Sequence, residues 1–286
     1  MEAFLAAFKQ KPGISSSRKS KASTHVPWVE KYRPKTVDDV AHQTEVVSVL
    51  KKCIDGADLP NLLFYGPPGT GKTSLITALA RQLFGSLYSE RVLELNSSDE
   101  RGIDVIRQKV KTFAHLAVSS SNSSTGPPPY KLIILDEADS MTAPAQAALR
   151  RTMETETRTT RFCLTCNYVT RIIDPITSRC AKFRFRPLDN AAALARLRYI
   201  SDCEGLSVTD ESLNHLLQLA GGDLRRGITL LQSVWQLSRS PGSTDKLAVT
   251  NNQLDEVAAV IPENLISGLI EAAQKGRFDD VQSQIK

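Results

Sequence analysis

Apolar residues along this chain fall into two rhythms. Leu62-Leu63-Phe64-Tyr65, Val92-Leu93-Glu94-Leu95, Leu132-Ile133-Ile134-Leu135, Phe162–Cys166 and Lys182–Phe185 are short runs with the length and composition of strands. Between them, apolar positions recur at three- and four-residue spacing. Ser74 to Phe84 carries Leu75, Ala78, Leu79 and Leu83, and Ile103, Ile106, Val110 and Phe113 mark one face of a second helix. The run Leu132 to Leu135 has no polar residue, the pattern of a strand buried on both faces. Strands and helices alternating in this way predict an α/β core: a parallel five-stranded sheet with helices on both faces.

After Pro187 the strand-like runs stop. Helical patterns cover 191–203, 210–220 and 223–238, broken by Gly205 and by Gly221-Gly222, with Asp210 and Asp223 placed to cap the helices that follow them. Another pattern runs from Thr250 to Ile261, with Thr250 and Gln253 at capping-box spacing, and Pro262 opens one more. Two segments have no period. Residues 9–25 are polar and Ser/Lys-rich and are expected to be disordered, while Ser119 to Pro129 reads as a surface loop rich in turn formers.

Composition narrows the class. A 286-residue chain with 41% hydrophobic residues can bury a sizeable core. No stretch approaches the roughly 18 consecutive apolar residues of a membrane-spanning helix, so no membrane role is expected. Glu2 stands where a signal peptide needs basic residues, which argues against export. Five scattered cysteines, an odd number, fit a reducing compartment. The net charge of +5 is concentrated at the start: residues 1–35 hold eight Lys or Arg against two acids, and the remainder sums to −1. The basic tail reads equally as a solvated segment or a nuclear-import address.

The chemistry lies between the runs. Gly66-Pro67-Pro68-Gly69-Thr70-Gly71-Lys72-Thr73 matches G-x-x-x-x-G-K-[ST], with a strand before it and a helix opening at Ser74 after it. Its glycines let backbone N–H groups wrap phosphate oxygens, and the helix N-terminus adds partial positive charge. Lys72 is placed for the β- and γ-phosphates of ATP, and Thr73 for Mg²⁺. Asp136 and Glu137 end the buried Leu132–Leu135 run, Asp136 suited to Mg²⁺ and Glu137 to polarising an attacking water. Cys163-Leu164-Thr165-Cys166 has half the spacing of a zinc site, but no second pair exists, so these are expected to be core cysteines.

With the Asp136-Glu137-Ala138-Asp139 box, further segments carry a resemblance. They are Val26–Pro34 with its Tyr32-Arg33-Pro34, Leu95-Asn96-Ser97-Ser98-Asp99, Ser178-Arg179-Cys180 and Gly222-Asp223-Leu224-Arg225. Over about residues 26 to 275 the chain resembles the AAA+ ATPases, and within them the small subunits of the replication factor C clamp loader. The resemblance implies a nucleus-located heteropentamer of replication factor C subunits that loads a sliding clamp onto primer–template DNA, driven by ATP and Mg²⁺. It implies that Val29 and Ala41 line the adenine pocket, that Asn167 is the first sensor and Arg225 the second, and that Arg179 is an arginine finger acting in trans on a neighbouring subunit's ATP. Clamp loaders track the DNA backbone with basic residues, and Arg101, Arg107, Lys111 and Arg171 occupy candidate positions, with a solvated charged face as the plainer reading.

The resemblance divides the chain into a basic tail (1–25), a nucleotide-binding core (26–188), a helical lid (189–261) and the beginning of a truncated C-terminal collar (262–286). Two other readings stand beside it. One is a different AAA+ remodeller, which calls for an aromatic pore loop not visible in the sequence. The other is a non-catalytic subunit that binds ATP as structural glue, against which Glu137 and the complete phosphate loop argue.

Overall fold

The computed structural model describes residues 26–40, 43–98, 104, 106–115, 128–238, 247–260 and 263–274. The basic tail, Ala41, Arg101, the Arg107 side chain, most of the Ser/Pro-rich loop and the chain after 274 lie outside the described residues. The five predicted strands are present as β1 (Leu62–Tyr65), β2 (Val92–Asn96), β3 (Lys131–Asp136), β4 (Thr160–Cys166) and β5 (Ala181–Arg184). They form one parallel sheet in the order β2-β3-β4-β1-β5.

The helices, in chain order, are α1 (Trp28–Lys31), which packs on the later helices, and α2 (Thr44–Ile54), α3 (Lys72–Phe84), α4 (Tyr88–Arg91), α5 (Lys111–His115), α6 (Ala143–Thr155) and α7 (Asp174–Thr177) around the sheet. Beyond it come α8 (Asn190–Cys203), α9 (Asp210–Leu219), α10 (Leu224–Ser238), α11 (Asn251–Val257) and α12 (Glu263–Gln274). A π-helical turn over Ile106–Val110 leads into α5, interrupting the regular helix expected there.

Period-two alternation sends the strand side chains into two cores. Leu62, Phe64, Leu132, Ile134 and Cys163 pack with Leu50 of α2 and with Leu75, Ile76 and Leu79 of α3. Leu63, Ile133, Leu135, Phe162, Leu164 and Cys166 pack on the opposite face with Val110, Ala114 of α5 and Ala145, Leu149 and Met153 of α6. Cys163 and Cys166 therefore lie on opposite faces, both buried, and no His/Cys/Asp/Glu cluster able to hold a metal exists among the described residues.

A third core holds the helices after the sheet. Leu197, Ile200, Leu213, Leu216, Leu231, Val234 and Leu254 meet there, joined by Trp28 from the start of the described chain. The Trp28 ring stands 5.3 Å from that of Trp235, and its backbone N–H donates to Gln232 Oε1 at 2.9 Å. The N-terminal segment then crosses to the sheet side, where the Val37 N–H donates to Gln82 Oε1 on α3 at 3.1 Å. These few residues strap the helical part to the nucleotide-loop helix.

Two further expectations change. Strand structure does not end at Pro187: β6 (Leu206–Ser207) and β7 (Leu247–Ala248) pair in parallel. Two-residue strands are too short to show alternation. Thr209, not Asp210, caps α9: it has extended backbone angles and its hydroxyl accepts the Ser212 N–H at 3.2 Å, leaving Asp210 as the first helical residue. Asp223 does cap, its Oδ1 accepting the Arg225 N–H at 2.8 Å, and the Thr250 capping box forms with Gln253.

Candidate active site

The sheet register brings the site together. β1 lies between β4 and β5, so the loop leaving Tyr65 emerges beside the ends of both. The Gly66 N–H donates to Cys166 O at 3.3 Å, and the Phe185 N–H to Tyr65 O at 2.8 Å. This close approach excludes a side chain at Gly66, where a Cβ would come within 2.3 Å of Phe185 O. Gly69 and Gly71 also have positive φ, and α3 begins directly after Gly71. The outcome is a loop folded tightly in front of a helix N-terminus, as the glycine spacing requires.

Lys72 is buried, and burial pushes its ammonium below the usual lysine range. Its Nζ donates to Gly66 O and Pro67 O, each at 2.8 Å, and to Asn167 Oδ1 at 3.0 Å, which uses all three of its donors. Thr70 closes the turn by donating to Pro67 O at 2.9 Å. Thr73 Oγ1 donates to Asp136 Oδ2 at 2.9 Å, and Thr165 donates to Asp136 Oδ1. The second contact follows from register: Leu135 pairs with Leu164, so the next residues on the two strands face one another.

Glu137 has φ 52°, a left-handed conformation uncommon for a side-chain-bearing residue. Its N–H donates back to Asp136 Oδ1 at 3.1 Å, so the turn that presents Glu137 is tied to the neighbouring carboxylate. Asp139, the last of the four-residue box, accepts the N–H groups of Asn167 at 3.3 Å and Tyr168 at 3.2 Å. It thereby fixes the exit of β4 from which the Asn167 side chain reaches Lys72.

Lys72, Thr73, Asp136, Glu137 and Asn167 share one cleft of about 210 Å³. Its walls include Val29, Arg33 and Pro34, the loop and helix start from Pro68 to Ser74, Asp136, Glu137 and Asn167, and from the helical side Arg196, Leu224 and Arg225. Arg33 Nε donates to Ser74 Oγ at 3.4 Å, and Arg196 Nη2 to Tyr32 O at 2.6 Å. Asp223 touches the loop itself, since a Cβ on Gly69 would fall 2.1 Å from its Oδ1.

The sequence-derived candidates thus separate. Lys72, Thr73, Asp136, Glu137, Asn167, Arg225 and Val29 converge on the cleft. Arg179 does not line it; its guanidinium donates to Pro175 O and pairs with Glu154. Lys111 and Arg171 are exposed, Arg171 lying 5.1 Å from the centre of the Tyr168 ring. Thr165, Asp139, Arg33, Arg196 and Asp223 were not anticipated as site residues. Thr165 had a local signal, two positions before Asn167 and hence on the same strand face, while Asp139, Arg33 and Asp223 lay inside segments that carry the family resemblance without a role assigned to them.

Hard oxygen donors from Thr73 and Asp136 stand within hydrogen-bond distance of each other beside the glycine loop, a donor set that fits Mg²⁺ and not a softer metal. A five-stranded parallel sheet, a glycine loop opening α3 and a paired acid at the tip of β3 define a P-loop nucleoside triphosphatase. Residues 62–188 match the ATPase family associated with various cellular activities (AAA). The chain is 57% identical to human replication factor C subunit 4, covering 95% of this chain and 74% of that protein. It is 51% identical to Saccharomyces cerevisiae replication factor C subunit 2, covering 96% and 79%. In fold alone it is similar to a RuvB variant from Thermotoga maritima, with a TM-score of 0.62 at 15% identity and 88% of each chain covered. The chain belongs to the replication factor C subunits, within the AAA ATPases.

Proposed function

We propose that this chain is an ATP-hydrolysing small subunit of a nuclear clamp loader, acting with other replication factor C subunits to place a sliding clamp on primed DNA. The observation that carries the reading is the closed hydrogen-bond set Thr73–Asp136–Thr165 with Lys72–Asn167 beside it, in a chain so similar to named replication factor C subunits. A nucleotide-storing pocket needs the loop and the lysine; it has no use for Glu137 held in a left-handed turn at the strand tip.

The roles proposed for the residues rest on the cleft's geometry where its residues are described and on the family resemblance elsewhere. The loop N–H groups and the start of α3 bind the phosphates, with Lys72 and Arg225 supplying positive charge at the γ-phosphate. Thr73 and Asp136 hold Mg²⁺, which when bound draws charge from the phosphate oxygens. Glu137 accepts the proton of the attacking water, and Asn167 orients that water. Val29 and Ala41 flank the base. Arg179, outside its own chain's cleft, acts as a finger on the ATP of a neighbouring subunit. Residues 26–188 serve as the core, 189–261 as a lid whose Arg225 senses the γ-phosphate, and 262–286 as the start of a collar. Arg101, Arg107, Lys111 and Arg171 contact the DNA backbone without reading its sequence.

The test is ATP turnover by this chain assembled with its partner subunits, with and without clamp and primed DNA. Glu137→Gln is expected to retain ATP while lowering turnover about a hundredfold or more, and Arg179→Ala to lower turnover without weakening ATP binding by its own subunit. Turnover indifferent to clamp and DNA would overturn the clamp-loading reading and leave an ATPase with another substrate.

A further inference from the structure

Arg179 lies between α7 and β5 with its side chain about one-third exposed. Its guanidinium has two partners on different elements. Nη1 donates to Pro175 O at 2.6 Å, and Nη2 forms an ion pair with Glu154 Oε1 at 2.6 Å. Glu154 is in the last turn of α6, and the same carboxylate oxygen accepts Nε of Arg150, one turn earlier, at 3.0 Å. The Arg150 hydrogen bond, with the nearby guanidinium charges of Arg150 and Arg179, holds the Glu154 carboxyl below the usual carboxylate range.

None of the three residues lines this chain's own nucleotide cleft. An ion pair this exposed contributes little to the stability of a fold, so its geometry calls for another explanation. A long arginine side chain that must act across an interface loses its rotamer freedom when it does so. Pro175 and Glu154 confine the guanidinium before assembly, one partner at each terminal nitrogen. The Pro175 bond uses one of its five N–H donors and the ion pair engages Nη2, leaving most of the fork for the oxygens of a phosphate. A contact that merely parked the arginine would have no reason to leave most of the fork unspent.

We propose that Glu154 is a positioning residue for Arg179, holding the guanidinium in the orientation from which it acts on ATP bound by the neighbouring subunit. The inference rests on reading Arg179 as a finger in trans. Glu154 presets the finger's reach, and Arg150 presets Glu154 from the same helix.

The experiment measures steady-state ATP turnover of the assembled complex carrying Glu154→Ala, Glu154→Gln, Arg179→Ala, or Glu154→Ala with Arg179→Ala. Melting temperature and binding of a fluorescent ATP analogue by this subunit are recorded for each. Glu154→Ala is expected to lower kcat about tenfold with KM unchanged. Glu154→Gln, which keeps the acceptor oxygen and loses the charge, should fall between Ala and the native residue. Melting and own-site binding should stay at native values, and the double variant should be no slower than Arg179→Ala alone. Native or faster turnover in Glu154→Ala alongside a slow Arg179→Ala overturns the positioning role, as does a double variant slowed by the product of the single effects. If Arg179→Ala itself turns over normally, the finger reading fails and this inference fails with it.

Discussion

Replacing Gly69 with Ala probes the contact between the nucleotide loop and the helical side of the cleft. Gly69 has φ +75°, and an added Cβ would stand 2.1 Å from Asp223 Oδ1 and 2.8 Å from its Cγ. The left-handed backbone costs an alanine about 1–2 kcal/mol. Asp223 can swing away, but its Oδ1 accepts the Arg225 N–H at 2.8 Å, so moving it gives up the cap of α10. A lost cap costs about 1 kcal/mol. Gly69→Ala should therefore destabilise by roughly 2–3 kcal/mol and lower the melting temperature by about 4–10 °C. Asp223→Ala alone should cost about 1 kcal/mol, again the cap. In the double variant the collision no longer exists, so only the backbone strain and one lost cap remain. The double variant should then be destabilised by about 1 kcal/mol less than the sum of the two single losses. Thermal melts of the four proteins without nucleotide read this directly. Additive losses would refute the argument, because they would mean that loop and cap do not meet.

Other substitutions test other parts of the structure. Thr165→Val keeps the shape of a fully buried side chain and removes the hydroxyl held by Asp136, so it should weaken Mg²⁺-dependent ATP binding, measured by titration, more than Mg²⁺-free binding. Trp28→Ala empties a site buried among the helices of the third core and should cost about 3–5 kcal/mol in chemical denaturation, while Trp28→Phe should cost markedly less. Alkylation at pH 8 should label exposed Cys203 first; burial pushes Cys166 and Cys180 up to about 12 and Cys163 well above its ordinary value, so mass spectrometry should find these three protected. The Asp39 carboxyl is held low, chiefly by the Thr36 backbone N–H, so its contribution is present at neutral pH and disappears as the pH falls through its folded-state value. Asp39→Asn should flatten that part of the acid-unfolding curve.

The sheet was legible because each strand obeys a local rule. Leu132 to Leu135 had to be covered on both faces, and it is, by α3 on one side and α6 on the other. The phosphate loop was legible because its spacing and its context coincide. Thr165 and Asp139 were harder to see: the spacing from Thr165 to Asn167 gives a shared face, but their partners depend on which strand lies next to which and on where β4 exits the sheet. The Asp223–Gly69 approach joins positions more than 150 residues apart and has no local signature at all. At the start of α9, Thr209 and Asp210 are both good capping residues, and backbone angles, which composition does not encode, decide between them.

The strap formed by the N-terminal segment has a consequence for how the molecule is made. Trp28 belongs to a core whose other members begin at Ala193, and its backbone bond to Gln232 spans 204 positions. On a ribosome, Trp28 emerges early and its partners late. The five-stranded sheet has all its strands by Arg184 and can form first, while this indole waits in solvent for α10. Closing so long a loop is a slow kind of contact to make, so the helical part should be the last to acquire protection in a pulse-labelled refolding experiment. Trp28, synthesised long before the rest of its core, is among the last residues to find its place.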